Sequence, residues 1–187
     1  TSIALEHYTR FKGNAVKIGR PKKPKQIIKN VLSESEVTRL IQATKNIREK
    51  AIVCLLSYSG IRNLEVCNLK LEDIDLGDNQ MTVRGGKNKK DRMVHISAEY
   101  TNVLIKYLQS YPREKGDYFF CMIVKKNILS TGDVRKTLRV VAKRANIQRR
   151  VFPHLLRHSL ATNLLNRGAS LMLIKNQLGH VFIESTM

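Results

Sequence analysis

The sequence predicts a mainly α-helical fold with a small antiparallel β-sheet, that is, an α+β domain. Apolar residues recur at helical spacing in several segments, and Leu156, Leu160 and Leu164 give one helix an apolar face. Two short β-type segments, 81–84 and 92–96, flank a glycine-started turn that is rich in lysine. This arrangement is typical of a single β-hairpin within a helical domain.

The first helix is predicted to begin at Ser33, since Glu36 follows three residues later and the two form the pattern of a capping box. A second helix is expected at 47–58, where an apolar run indicates a central place in the core, and the Ser59-Gly60 pair ends it. A third helix starts near Ile61. Further helices are expected at 98–110, 131–145, 153–167 and 171–178, with an edge strand at 118–121.

The charge of the chain predicts its partner. Among 187 residues, 34 Lys and Arg oppose 15 Asp and Glu, which gives a net charge of +19. Such a field concentrates polyanions, so nucleic acid is the first candidate and an anionic membrane the second. The longest apolar run, 51–56, is far shorter than the ~20 residues that span a bilayer. We therefore expect nucleic acid as the partner and no membrane.

The basic residues are unevenly distributed. Residues 134–183 contain no carboxylate and ten Lys or Arg, so this half is expected to face phosphates. Residues 1–30 carry eight basic residues and one acidic residue, and their prolines predict an extended basic linker before a domain at 31–187. The linker either lies along DNA and joins an upstream part, or is an expression remnant. The predicted DNA-binding residues are Lys89, Lys90, Arg92, Arg135, Lys136, Arg139, Lys143, Arg144, Arg149 and Arg150.

No metal or cofactor is predicted. The three cysteines are scattered without a Cys-x-x-Cys pair, which favours a reducing, cytoplasmic compartment over a disulfide framework or a zinc ribbon. Asp73, Asp75 and Asp78 suggest a calcium loop, but Asp78 stands where that loop needs glycine and Arg84 where it needs glutamate.

Phosphoryl chemistry without a metal requires protein cations for the phosphate oxygens and a general acid for the leaving oxygen. Arg62 follows a glycine turn and can fork two oxygens, and Lys87 at the hairpin tip can donate a proton. His154 and Arg157 are three apart on a helix and should emerge side by side, with His180 after a terminal glycine. Each also has a simpler interpretation, in which Arg62 caps a neighbouring carboxylate and the others are ordinary solvated or helix-end residues.

Four segments together carry a resemblance to a known family: SGIRNLEV at 59–66, GKNKKDR at 86–92, HLLRHSLAT at 154–162 and LGH at 178–180. Their order and spacing resemble the tyrosine recombinases, which include phage-type integrases and Xer-like chromosome-dimer recombinases. The likeness covers 31–187, the catalytic domain of that family. Leu64 departs from it, since the family usually has a small residue there.

The resemblance implies a fold, a reaction and roles for five residues. Arg62 and Arg157 would clamp the scissile phosphate with a further hydrogen bond from His180, Lys87 would protonate the leaving 5′-oxygen, and His154 would exchange a proton with a nucleophilic tyrosine. The product would be a 3′-phosphotyrosyl link that needs no ATP, and paired exchanges would give site-specific recombination, as integration, excision or dimer resolution. The resemblance also implies a monomer when free and a tetramer on paired DNA sites. It further implies an upstream helical domain, with its last helix and linker at 1–30.

The nucleophile itself is not in register. The family's tyrosine lies nine residues after the position of His180, which falls two residues beyond Met187, and none of the six tyrosines of the chain stands there. The chain as given is therefore expected to be inactive in cleavage. Two alternatives remain open: a non-catalytic basic DNA-binding module with the same fold, and a relaxing enzyme similar to type IB topoisomerases.

Overall fold

The computed structural model describes residues 31–85, 91–121 and 128–179, and its helical architecture with one small sheet confirms the predicted α+β class. The predicted linker at 1–30 and the hairpin tip at 86–90 lie outside these ranges. The elements are α1 (Glu34–Gln42), α2 (Ile47–Ser59), α3 (Asn63–Asn68), β1 (Ile74–Asp75), β2 (Gln80–Val83), β3 (Arg92–His95), α4 (Ala98–Ser110), α5 (Thr131–Arg144), α6 (Pro153–Asn166) and α7 (Leu171–Leu178).

Helix α2 forms the centre of the domain. Its residues 51–57 are all buried, and it packs against α1, α4, α5 and α6. A helix that is apolar on every side is stable only when other elements cover it all round. The apolar run at 51–56 therefore predicted this position correctly.

The sheet is antiparallel with the order β1-β2-β3. Val83 pairs with Arg92 at the end of the β2–β3 ladder that is nearest the turn, and Met81 pairs with Val94. Met81 and Val94 are buried, so this face of the hairpin belongs to the core. The predicted hairpin is confirmed.

The predicted edge strand at 118–121 is wrong. Tyr118 makes only an isolated bridge with Lys70, and Cys121 makes another with Ile128. Phe119 and Phe120 are both fully buried, which the strict alternation of a strand with one solvated face does not allow. Residues 118–121 therefore form an irregular segment whose two phenylalanines pack in the core.

The predicted capping box at the start of α1 is confirmed. The Ser33 amide donates to Glu36 Oε2 at 2.9 Å, and the Glu36 amide donates to Ser33 Oγ at 3.2 Å. The segment just before α1 is attached to α6 and to the connection between α5 and α6. The Leu32 amide donates to Ser159 Oγ on α6 at 2.8 Å, and Arg149 Nη1 donates to the Val31 carbonyl at 2.8 Å.

Helices α6 and α7 pack on each other through a second, smaller apolar cluster. Its buried members are Ala161, Ile174 and Leu178, with Leu160 and Leu164 packed against them. Gly168 has φ of 82° and follows the end of α6, as predicted for a terminating glycine. This packing places the end of α7 beside Gly60. Among the residues that the structure describes, no helix is long and apolar enough to cross a membrane.

Candidate active site

A glycine turn between α2 and α3 positions Arg62. Gly60 has φ of 65°, a left-handed conformation that glycine adopts without strain, and it ends α2. Arg62 is the extended residue immediately before α3. A Cβ atom at Gly60 would overlap the Leu178 side chain and lie 2.9 Å from Leu160 Cδ2, so a larger residue would force these two leucine side chains of α7 and α6 to shift. The turn therefore fixes how closely Arg62 approaches α6 and α7.

Arg157 reaches this same turn from α6. Its side chain is buried, and its two terminal nitrogens donate hydrogen bonds to the carbonyl oxygens of Gly60 and Leu178. The guanidinium thus joins the end of α2 to the end of α7. His154 and Arg157, which were predicted to emerge side by side, differ in exposure. His154 is exposed, whereas Arg157 turns inward to these two carbonyls.

The charge of Arg157 is not neutralised by a direct carboxylate partner within the described ranges. Burial, and after it repulsion from Arg62 and Arg92, lowers its pKa to about 10, against an opposing effect of Glu65. Arg157 is still protonated at neutral pH. A buried cation without a directly bound carboxylate favours an anion nearby.

Arg62 contacts the neighbouring end of α7. Its Nη2 donates to the Gly179 carbonyl at 3.2 Å, and its Nη1 forms an ion pair with Glu65 Oε1 at 2.8 Å. The Arg62 amide also donates to Glu65 Oε2 at 2.7 Å. Arg62 therefore does cap a neighbouring carboxylate, as the simpler interpretation proposed. The same side chain also binds the carbonyl next to that of Leu178, which Arg157 binds. Capping Glu65 is thus compatible with a place beside Arg157.

Glu65 was absent from the predicted site, although it bridges two arginines. Arg92 Nη1 and Nη2 donate to its two carboxylate oxygens at 2.9 and 2.7 Å. Burial alone would raise the pKa of Glu65, but hydrogen bonds from Arg92 and Arg62 lower it to about 2. Its spacing of three residues after Arg62, at the third position of a helix, is the one sequence signal that could have identified it.

Arg92 was also predicted to bind DNA. Its side chain is 13% exposed and forks onto Glu65, and β3 packs against α7. Lys87, Lys89, Lys90 and His180 lie outside the described residues.

The remaining predicted DNA-binding residues divide into two groups. Arg144 pairs with Glu49 at 2.7 Å, and Arg149 pairs with Glu36 at 3.0 Å, so carboxylates from the first half of the chain reach the acid-free half. This pairing follows from contacts across the fold that sequence distance hides. The exposed group consists of Arg135, Lys136, Arg139, Lys143 and Arg150.

The rejected calcium loop has an ordinary structural role. Asp75 Oδ1 accepts hydrogen bonds from the amides of Gly77 and Asp78, both at 3.0 Å, and so stabilises the turn between β1 and β2. In 31–85, 91–121 and 128–179, no three His, Cys, Asp or Glu side chains are grouped to hold a metal ion.

Comparisons with known proteins identify the family of this chain. The chain is 36% identical over 188 residues to the tyrosine recombinase XerA of Pyrococcus horikoshii, with 98% of this chain and 65% of the relative covered. It is 38% identical over 193 residues to XerA of Pyrococcus furiosus, again with 98% and 65% covered. The chain thus spans about 65% of the length of these curated relatives.

Solved structures agree. The crystal structure of XerA recombinase matches with a TM-score of 0.79 and 35% identity over 98% of this chain and 67% of that chain. XerH site-specific recombinase bound to palindromic difH substrate matches with a TM-score of 0.71 and 25% identity, covering 83% of this chain and 47% of that one. The phage integrase family model matches residues 30–187. The resemblance predicted from the four motifs is therefore confirmed, and the chain belongs to the phage integrase family of tyrosine recombinases.

Proposed function

We propose that this chain is the catalytic part of a site-specific DNA recombinase that cleaves and rejoins strands through a 3′-phosphotyrosyl link. The observation that supports this proposal best is the meeting of Arg62 and Arg157 at one turn. Arg157 binds the carbonyl oxygens of Gly60 and Leu178, and Arg62 binds that of Gly179. Two guanidinium groups held this way are oriented before a phosphate arrives, which is how preorganised donors stabilise charge in a transition state.

The chemical roles that we propose are those that the resemblance to tyrosine recombinases implies for the matching positions. Arg62 and Arg157 bind the nonbridging oxygens of the scissile phosphate, and His180, next to Gly179, adds a hydrogen bond. Lys87 protonates the leaving 5′-oxygen, and the exposed His154 exchanges a proton with the attacking tyrosine. A tyrosine has a reference pKa near 10, so it needs this help to attack at neutral pH.

We propose that none of the chain's own tyrosines is the nucleophile. Tyr58 and Tyr100 stack on each other with ring centroids 3.9 Å apart, and Tyr107 is fully buried among aromatic rings. Burial and the hydrogen bond with Tyr58 raise the pKa of Tyr100, which makes it a poor nucleophile. The expected tyrosine stands nine residues after His180.

The partner is double-stranded DNA, and XerH was solved with its DNA substrate. The exposed basic residues of α5 supply phosphate contacts, and residues 1–30 act as a basic linker along the duplex to an upstream domain. Recombination further requires paired sites, so we propose a monomer when free and a tetramer on DNA. Such a protein acts in the cytoplasm, where chromosomal, viral or plasmid DNA is accessible.

A suicide DNA substrate tests the proposal, because it traps the covalent 3′-phosphotyrosyl species for detection on a denaturing gel. We expect an adduct from a polypeptide that continues to the predicted tyrosine, and none from the 187-residue chain, although both bind DNA. An adduct with the shorter chain would show that one of its own tyrosines attacks. Absence of an adduct with the longer one would favour the non-catalytic module.

The two alternatives are less favoured. The similar proteins are named recombinases, in keeping with strand exchange over relaxation alone. A plasmid-relaxation assay separates the topoisomerase-like alternative, since relaxation without any recombinant product would support it.

A further inference from the structure

We propose that Arg92 is a positioning residue of the active site and not a DNA contact. Through Glu65 and Gly179 it holds Arg62 in one orientation. This inference rests on the proposed function, since orientation of Arg62 matters for catalysis only if the site cleaves DNA.

The first support is the direction in which Arg92 points. Both of its terminal nitrogens donate to Glu65, at 2.9 and 2.7 Å, and its side chain is 13% exposed. Its Nε is buried and makes no hydrogen bond among the described residues. The guanidinium therefore faces protein groups, whereas a phosphate contact would need it to face solvent.

The second support is the contact with Gly179. A Cβ atom there would lie 2.5 Å from Arg92 Cδ and 2.7 Å from its Nε, so the Arg92 stem lies directly on the glycine. Gly179 has φ of 63°, and its carbonyl accepts a hydrogen bond from Arg62 at 3.2 Å. Arg62, Glu65, Arg92 and Gly179 thus form a closed ring of contacts. A change at Arg92 alters both groups that orient Arg62.

The third support is the place of Arg92 in the hairpin. It begins β3 and pairs with Val83 at the end of the β2–β3 ladder that is nearest the turn, and Lys87 lies between these two residues in the sequence. The same residue contacts Glu65 and Gly179. Arg92 is therefore suited to hold the base of the hairpin against the groups that orient Arg62.

The experiment compares Arg92→Lys with Arg92→Ala in the polypeptide that includes the predicted tyrosine. Lysine keeps the charge but lacks the planar fork that holds a carboxylate with two bonds. We expect both variants to form adduct about 10- to 100-fold more slowly at saturating DNA, as for a small misplacement of reacting groups. Affinity and the slope of log affinity against log salt should stay unchanged. Lys106→Ala, which removes one exposed charge on α4, is the matched control.

A phosphate contact gives the opposite pattern. Arg92→Ala would then reduce the salt slope by about 0.9, and Arg92→Lys would restore both binding and cleavage. That result overturns the inference, as does normal cleavage by both variants. If Arg92→Ala fails to fold in a circular dichroism melt, Arg92→Lys alone decides. No adduct from the unsubstituted polypeptide would overturn the proposed function, and this inference with it, whereas an adduct with the phosphate-contact pattern overturns the inference alone.

Discussion

Arg157 carries a charge that the main chain holds in place. Its acceptors are two carbonyl oxygens that stand at the ends of different helices, α2 and α7. A backbone acceptor cannot change rotamer, so the guanidinium is oriented more firmly than an exposed arginine could be. The two helix ends must remain together for this geometry to persist.

Replacing Arg157 with lysine tests this orientation. Lysine keeps the charge but cannot bind the Gly60 and Leu178 carbonyls with the same fork, so one acceptor loses its partner. We expect adduct formation to fall by about 10²–10³-fold, as for the loss of one preorganised donor. DNA affinity should change little. Single-turnover cleavage of a suicide substrate measures the first, and fluorescence anisotropy the second. Cleavage at the unsubstituted rate would contradict the fixed geometry.

Glu65 makes stability depend on pH. Its pKa lies at about 2 in the folded chain against an ordinary 4.5. A lowered pKa stabilises the fold above the ordinary value, and this stabilisation disappears as the pH falls toward the folded value. The shift corresponds to about 3 kcal/mol at neutral pH and roughly half of that near pH 3.

The test compares urea unfolding of the unsubstituted chain and Glu65→Gln. The difference in free energy of unfolding should shrink by about 1–2 kcal/mol between pH 7 and pH 3, since glutamine does not titrate. Glu34→Gln is the control, because Glu34 pairs with Arg167 at the exposed surface and should show a much smaller change. A pH-independent difference would show that Glu65 is not held ionised.

Among the elements, β3 and α7 are joined by the Gln177 side chain, which binds the backbone of β3 as a neighbouring strand would. Gln177 Nε2 donates to the His95 carbonyl at 3.1 Å, and the His95 amide donates to Gln177 Oε1 at 3.3 Å. The same Nε2 reaches the Ser59 carbonyl at 3.4 Å. Since β3 is the last strand of the sheet, Gln177 satisfies groups that would otherwise form an open edge.

Gln177→Ala should therefore loosen the contact between the sheet and α7. We expect a loss of about 1–2 kcal/mol in the free energy of unfolding, which corresponds to one or two net hydrogen bonds. Asn176→Ala, at an exposed neighbouring position, should leave stability almost unchanged. Equal effects of the two substitutions in chemical denaturation would mean that the contact contributes nothing.

For the whole molecule, ion pairs decide which cations remain available to DNA. Arg139 and Lys143 are exposed on α5, whereas Arg144 pairs with Glu49 at 2.7 Å. Arg139→Ala and Lys143→Ala should each reduce the slope of log affinity against log salt by about 0.9. Arg144→Ala should reduce it less, because that charge is already partly neutralised. Equal slopes for all three variants would show that the Arg144 pair opens on DNA.

The sequence predicted local features well and distant pairings poorly. The capping box at Ser33, the glycines after α2, α6 and α7, and the central place of α2 all follow from patterns within a few residues. The fork of Arg92 onto Glu65 joins positions 27 residues apart, and Arg144 meets Glu49 across 95 residues. No periodicity encodes such pairs. The buried orientation of Arg157 was missed for the same reason, since its acceptors are backbone atoms of other helices.

The attachment of the segment before α1 matters for anyone who wishes to graft a new DNA-targeting module onto this domain. The Leu32 amide is held by Ser159, two residues from Arg157, and the Val31 carbonyl by Arg149. A fusion joint placed inside this segment would disturb α6, the helix that carries the arginine proposed to bind the scissile phosphate. A joint placed before Val31 leaves both hydrogen bonds intact, so a chimaera that resumes the native sequence there and continues to the predicted tyrosine should retain catalysis.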